Sequence, residues 1–139
     1  MKKSKIKSFI SSITTLLFVL LALYAVIGVY NQNKTGELFF FFGYRPVVIM
    51  SGSMEPELQT GAVVLTKETK DVKKDDIIFF KGGEVPVIHR LVRVDGDNYY
   101  TKGDSNKKED FEPIQKEDIY GKVVLKCNFV SKFVRLFIE

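Results

Sequence analysis

A chain of 139 residues, 45% hydrophobic and 27% charged, is one domain's worth of sequence, neither a disordered tail nor a multi-span transporter. Its formal charge of +4 would suit a nucleic-acid binder, but setting aside Lys2, Lys3, Lys5 and Lys7 leaves 17 basic residues against 17 acidic ones, so no basic patch remains for a phosphate backbone. A single cysteine, Cys127, excludes an internal disulfide and a cysteine-cluster metal site.

Residues 1–7 form a basic flank with no acidic residue. Ser8 through Tyr30 is then 23 residues without a charge. As a helix it would be roughly 34 Å long, enough to cross a ~30 Å hydrocarbon core with some tilt. A core helix would show a polar face, and this run has only scattered Ser and Thr. A cleavable signal peptide has a shorter apolar stretch and a small-residue cleavage site, for which the surroundings of Val26 and Gly28 are a poor candidate. The run predicts a permanent single-pass anchor in the cell membrane. The lysines before it keep the N-terminus cytoplasmic and put everything after Tyr30 outside.

Phe39–Phe42 follows at once and is too short to span; it reads equally as a strand or as a dip into the headgroup region. From there to Asp118 no helical period of useful length occurs. Six segments rich in Val, Ile, Phe and Tyr predict strands: Arg45–Met50, Gly61–Thr66, Asp76–Phe80, Val85–Val94, Tyr99–Lys102 and Tyr120–Lys126. Gly82-Gly83 and Asp95-Gly96-Asp97 supply turns between them. The fold class is mainly β, a twisted sheet or incomplete barrel behind one transmembrane helix. Asn128–Glu139 has Phe129, Val130, Phe133, Val134 and Phe137 at helical spacing, which predicts a short C-terminal amphipathic helix lying in the membrane interface, or else packed on the domain.

Three segments carry candidate chemistry. Ser51-Gly52-Ser53-Met54-Glu55-Pro56 follows the first strand, Val87–Val94 holds His89, the only histidine, and Lys102-Gly103-Asp104-Ser105-Asn106 is followed by Asp110. Taken singly, each has an ordinary reading: a turn, a satisfied structural histidine, a solvated loop. Together they are a hydroxyl, a base and carboxylates. A serine hydroxyl needs an adjacent base to take its proton, and that base needs a carboxylate to hold its tautomer. Strand alternation puts His89 on the face of Val87 and Leu91, a partly apolar setting in which a neutral imidazole would act as general base. The order Ser, His, Asp differs from chymotrypsin, subtilisin and the α/β-hydrolases.

The segments Ser51–Pro56, Ile88–Arg93 and Lys102–Asp110, with Asp76-Ile77-Ile78-Phe79 between them, resemble the ordered boxes of type I signal peptidases over roughly residues 8–126. The likeness is to the ER, archaeal and sporulation-type (SipW-like) branch, in which histidine replaces the lysine base. It implies a membrane-bound serine endopeptidase that removes signal peptides from secreted preproteins after small residues, without cofactor or metal. Its partners would be those preproteins and the lipid bilayer; partner subunits stay open, and nucleic acid is not expected. By the resemblance Ser53 is the nucleophile, His89 the general base, Asp110 the triad carboxylate and Asp104 a supporting one, with either aspartate left open as the group touching His89. The Ser53 N–H and the Ser51 hydroxyl would hold the oxyanion. Met54 and the strand at Val63, Val64 and Leu65 would line a shallow groove for an extended substrate. The sequence departs from the pattern at Asp75, where a turn glycine is usual and a left-handed backbone is tolerable, and at Ser105, where asparagine is usual. The domain boundaries expected are then 1–7 cytoplasmic, 8–30 anchor, 31–127 extracytoplasmic catalytic domain and 128–139 interfacial segment. Two other readings stay open: a Ser–Lys signal peptidase using Lys81, Lys102 or another lysine, and a membrane-tethered β-domain that binds extended peptides without cutting them.

Overall fold

The computed structural model describes residues 2–128, so the predicted amphipathic segment lies outside the described residues after Asn128. The chain divides after Phe41 into two compact units.

The first unit is built on α1 (Lys2–Thr35), which over Ile6–Thr35 is long and apolar enough to cross a membrane. Its few hydroxyls do not break the helix because they bond within it. Ser12 Oγ donates to Ser8 O at 3.0 Å, and Thr14 and Thr15 donate to Ser11 O at 2.8 and 2.9 Å. Such back-bonding pairs these three hydroxyls internally, as a helix crossing hydrocarbon would require. The helix outruns the predicted anchor by a polar turn and stops at Gly36. There φ is +73° and the N–H bonds Gln32 O at 2.8 Å, the left-handed cap that glycine adopts without a Cβ penalty. Lys34 in that last turn complements the carbonyl end of the helix.

The phenylalanine run forms no strand of its own. Phe39 N–H donates to Gln32 Oε1 at 3.0 Å, and the Phe39 and Phe41 rings meet Tyr24 at centroid distances of 5.5 and 5.3 Å. The Phe39 ring lies so close over Gly28 that any Cβ there would overlap it. Gly28 is therefore a packing surface for an aromatic ring, a role its small size permits.

The second unit is one six-stranded antiparallel sheet. Its strands are β1 (Tyr44–Val48), β2 (Val63–Glu68), β3 (Ile77–Gly82), β4 (Val85–Asp95), β5 (Asn98–Lys102) and β6 (Ile119–Cys127), in the order β1-β2-β6-β3-β4-β5. β3 is the pivot. Its run Ile77–Phe80 is buried on both faces, as an unbroken apolar run should be. Ile77 joins a cluster with Ile49, Met54, Leu58, Ala62 and Val64, while Ile78 and Phe80 join a second with Leu91, Ile114 and Ile119. Asp75, at the entry to β3, has φ +76°, so aspartate does take the left-handed position there. Register shifts at Leu65/Thr66, Phe79/Phe80 and Leu91/Arg93 are the irregularities that bend such a sheet.

Ile78 is wholly buried on the pivot strand, so Ile78→Ala is expected to lower stability by about 2–5 kcal/mol. Chemical denaturation of the full chain in detergent, followed by near-UV circular dichroism, checks this.

Candidate active site

β1 leads into a loop that turns sharply after Met50. Ile49 N–H bonds Ala62 O at 2.9 Å and Gly61 N–H bonds Ile49 O at 2.7 Å, tying the loop's two ends together. Ser51 is extended, and Gly52–Met54 form a single 3-10 turn closed by Glu55 N–H on Gly52 O at 3.1 Å. Met54 plugs the turn into the first core cluster and is 1% exposed. Glu55 Oε1 accepts from both the N–H and the hydroxyl of Thr60, bracing the loop from within. Ser53 Oγ, on this anchored turn, lies 3.2 Å from Ser51 Oγ.

His89 sits on β4 opposite Ile78 of β3, with its ring 6.3 Å from that of Phe80 and its side chain 12% exposed. Its Nε2 is 3.1 Å from Ser53 Oγ and its Nδ1 2.7 Å from Asp110 Oδ2. An ionised carboxylate can only accept, so the proton between them belongs to Nδ1, and the Nε2 lone pair is left to take the serine proton. Asp110 is itself held twice by Thr101. Its N–H bonds Thr101 O at 2.8 Å, and Thr101 Oγ1 donates to Oδ2 at 2.6 Å. Thr101 is buried on β5 directly opposite Leu91, and nothing in the sequence singled it out.

The second aspartate does something else. Asp104 takes a two-pronged pair from Arg90, Nε to Oδ1 at 2.8 Å and Nη2 to Oδ2 at 2.7 Å, and Arg90 Nη1 adds a bond to Asp75 O at 2.9 Å. Hydrogen bonding to Asp104 holds the guanidinium further on its charged side, against the opposing effect of partial burial. The reason for the division is the pleat. Consecutive residues of a strand point to opposite faces, so His89 meets one carboxylate and Arg90 the other. Asp104 thus fastens its loop and does not touch the imidazole.

That loop is pressed onto the serine turn. Ser105 N–H donates to Ser53 O at 2.9 Å, Ser105 Oγ donates to Gly52 O at 2.8 Å, and Asn106 N–H closes on Gly103 O at 2.9 Å. A Cβ on Gly103 would come within 2.6 Å of Ser53 O, which only glycine avoids.

Beside Ser53 lies a mostly apolar cavity of about 430 Å³, lined among others by Val48, Met50, Met54, Val85, Val87 and His89. Met54 falls where the sequence put it, but Val63, Val64 and Leu65 do not line this groove. β2 is covered on its outer side by β1, and Val64 is fully buried in the core. The walls come mainly from β1 and β4, strands four places apart in the sheet, so the sheet must curl to bring them together.

A family model described as "Signal peptidase, peptidase S26" matches residues 7–105, which includes Ser53, His89 and Asp104 and stops short of Asp110. The chain is similar to "Signal peptidase I W" of Bacillus subtilis (strain 168), 35% identical over 112 residues, covering 75% of this chain and 58% of the relative. It is also similar to a "Signal peptidase complex catalytic subunit sec11" of Sclerotinia sclerotiorum, 38% identical over 110 residues, covering 67% of this chain and 63% of the relative. A SEC11 protein of the same description from Pyricularia oryzae is 35% identical over 101 residues, covering 61% of this chain and 59% of the relative. The chain thus spans about three fifths of the length of these curated relatives.

If the loop is seated as described, Gly103→Ala should push it off the Ser53 carbonyl. The Ser105 amide is then expected to exchange with solvent roughly tenfold faster, the loss of about one hydrogen bond. Amide exchange read by NMR or mass spectrometry checks it, and unchanged protection would contradict the contact.

Proposed function

The chain belongs to the signal peptidase family, peptidase S26, and from that premise we propose that it is a membrane-anchored serine endopeptidase cutting signal peptides from exported preproteins. The observation that carries this reading is the unbroken line from Asp110 Oδ2 through His89 to Ser53 Oγ, with steps of 2.7 and 3.1 Å.

The chemistry follows from those distances. Ser53 Oγ attacks the scissile carbonyl carbon while His89 Nε2 takes its proton, and Asp110 stabilises the imidazolium that forms. The carbonyl oxygen, now negative, is received by the Ser53 N–H and the Ser51 hydroxyl. The latter sits 3.2 Å from Ser53 Oγ, near enough to turn toward the developing charge. His89 then returns its proton to the leaving amine as the C–N bond breaks, which frees the mature N-terminus. Water attacks the acyl-serine by the same route in reverse, His89 taking its proton and handing it back to Ser53 Oγ.

The groove supports the substrate class. β1 is an edge strand of the sheet, and its end lines the cavity. An extended peptide can therefore pair along it and offer alternate side chains to a shallow apolar wall, which favours small residues next to the cut. Among the described residues, His89 is the base that hydrogen-bonds Ser53 Oγ; Lys81 and Lys102 do not, so the Ser–His reading is preferred to a Ser–Lys one. The lysines in the first turns of α1, ahead of its uncharged run, favour a cytoplasmic N-terminus and an exterior catalytic unit.

In cleavage of a membrane-inserted preprotein by the full chain, Ser53→Ala and His89→Ala are each expected to lower kcat by about 10³-fold or more. Asp110→Asn, which leaves the shape but offers Nδ1 the wrong partner, is expected to lose about 10²–10⁴-fold. Undiminished processing by Ser53→Ala would falsify the proposal and leave the non-cleaving peptide-binding reading standing.

A further inference from the structure

We infer that Ser105 is a positioning residue for the oxyanion donor, setting the direction in which the Ser53 N–H points. The inference rests on the peptidase reading above and assigns a role to a side chain that takes no part in the Ser53–His89–Asp110 line.

The argument starts from the peptide plane. The Gly52 carbonyl and the Ser53 N–H belong to one rigid trans unit and point in opposite directions. Whatever holds Gly52 O therefore aims the Ser53 N–H. Gly52 O accepts two hydrogen bonds, from Glu55 N–H at 3.1 Å and from Ser105 Oγ at 2.8 Å. The first is internal to the turn and swings with it. The second comes from a separate segment of chain and gives the turn an external reference.

Ser105 also holds the next plane, through its own N–H on Ser53 O at 2.9 Å. One residue thus grips the carbonyls on both sides of the Ser53 Cα and fixes both backbone dihedrals of the nucleophile. The grip is firm because its own loop is tied down. Asp104, the preceding residue, is forked to Arg90 on β4, and Gly103 lets the loop approach without a side chain in the way. Since Arg90 adjoins His89, the donor, the nucleophile and the base are referred to one strand.

An oxyanion donor accelerates the reaction only if it is already aimed when charge develops. Hydrogen bonds weaken steeply as the angle at hydrogen falls toward ~120°, so a donor free to tilt loses part of its effect while the substrate binds as before. The loss should be felt in the transition state and not in the ground state.

The test uses the full chain in detergent with a cleavable preprotein peptide, comparing Ser105→Ala, Ser105→Thr and Ser53→Ala with the wild type. For Ser105→Ala, kcat is expected to fall roughly tenfold with KM within about twofold, since one hydrogen bond that acts through geometry is removed. Affinity for a peptide aldehyde, whose adduct with Ser53 carries the oxyanion, should fall in step with kcat. Affinity for an uncleavable peptide should hold, and Ser105→Thr, which keeps the hydroxyl, should restore most of the rate. Wild-type kcat in Ser105→Ala would overturn the inference. So would a loss shared equally by kcat, peptide affinity and melting temperature, which would mark a residue that merely holds the loop. If Ser53→Ala cleaves as well as the wild type, it is the peptidase reading that has failed, a result separate from either of these.

Discussion

Everything at the site depends on the register of β4. Ser53 and His89 are 36 residues apart in sequence, and they meet because β4 presents His89 to one side and Arg90 to the other. A slip of one residue along β3 would exchange the two faces. The guanidinium would then face Ser53 and the imidazole would face Asp104, leaving a group that can only donate where an acceptor is needed. Leu91, wholly buried on β4, opposes such a slip, because a one-residue shift would set Arg90 in its place in the core. β5 opposes it from the other edge, because Leu91 must stay opposite Thr101 for the Thr101 hydroxyl to reach Asp110.

Ser53 and His89 are each one step or two from a residue sealed in the core. Met54, next to Ser53, belongs to one buried cluster, and Leu91, two along from His89, to the other. Apolar packing thus fixes where the hydroxyl and the imidazole stand, and hydrogen bonds fix only how they are turned. This division suits the energetics. The Arg90–Asp104 pair keeps some access to solvent, 26% and 17% exposed, so its attraction is largely offset by desolvation and it contributes geometry more than net stability. Asp110, by contrast, receives both Thr101 Oγ1 and His89 Nδ1 on a single oxygen.

Strand positions were legible in the sequence because β-branched and aromatic runs between turn residues are a local signal. All six strands lie where those runs do, with ends shifted by at most two residues. Likewise Ser53 and His89 stood out as a hydroxyl turn and a lone imidazole, and the resemblance supplied the link between them. What could not be read was anything that depends on which residues face each other. Two aspartates on one loop look alike until the pleat of β4 assigns one to His89 and the other to Arg90. Thr101 is an unremarkable strand residue until its register opposite Leu91 places it under Asp110. The resemblance assigned the groove to Val63–Leu65, but sheet order puts β1 outside β2 and gives the wall to β1 and β4. The fate of the phenylalanine run was also hidden, since its packing depends on Gly28 leaving room on a helix face one turn and more away.

The apolar helix and the shallow groove make sense together under the proposed activity. A cavity of about 430 Å³ with few polar groups offers an extended peptide little to hold by, and tight ground-state binding would not speed the cut in any case. A substrate whose own apolar segment sits in the same bilayer meets the enzyme at an effective concentration set by the membrane, without any contribution from the groove. The groove is then free to discriminate by exclusion, admitting small side chains and rejecting large ones, while the strong interactions are kept for the oxyanion. The internal bonding of the Ser12, Thr14 and Thr15 hydroxyls belongs to the same economy. Under that activity it would let α1 sit in hydrocarbon as a tether, leaving selectivity to the groove and rate to the alignment of Ser53 with His89.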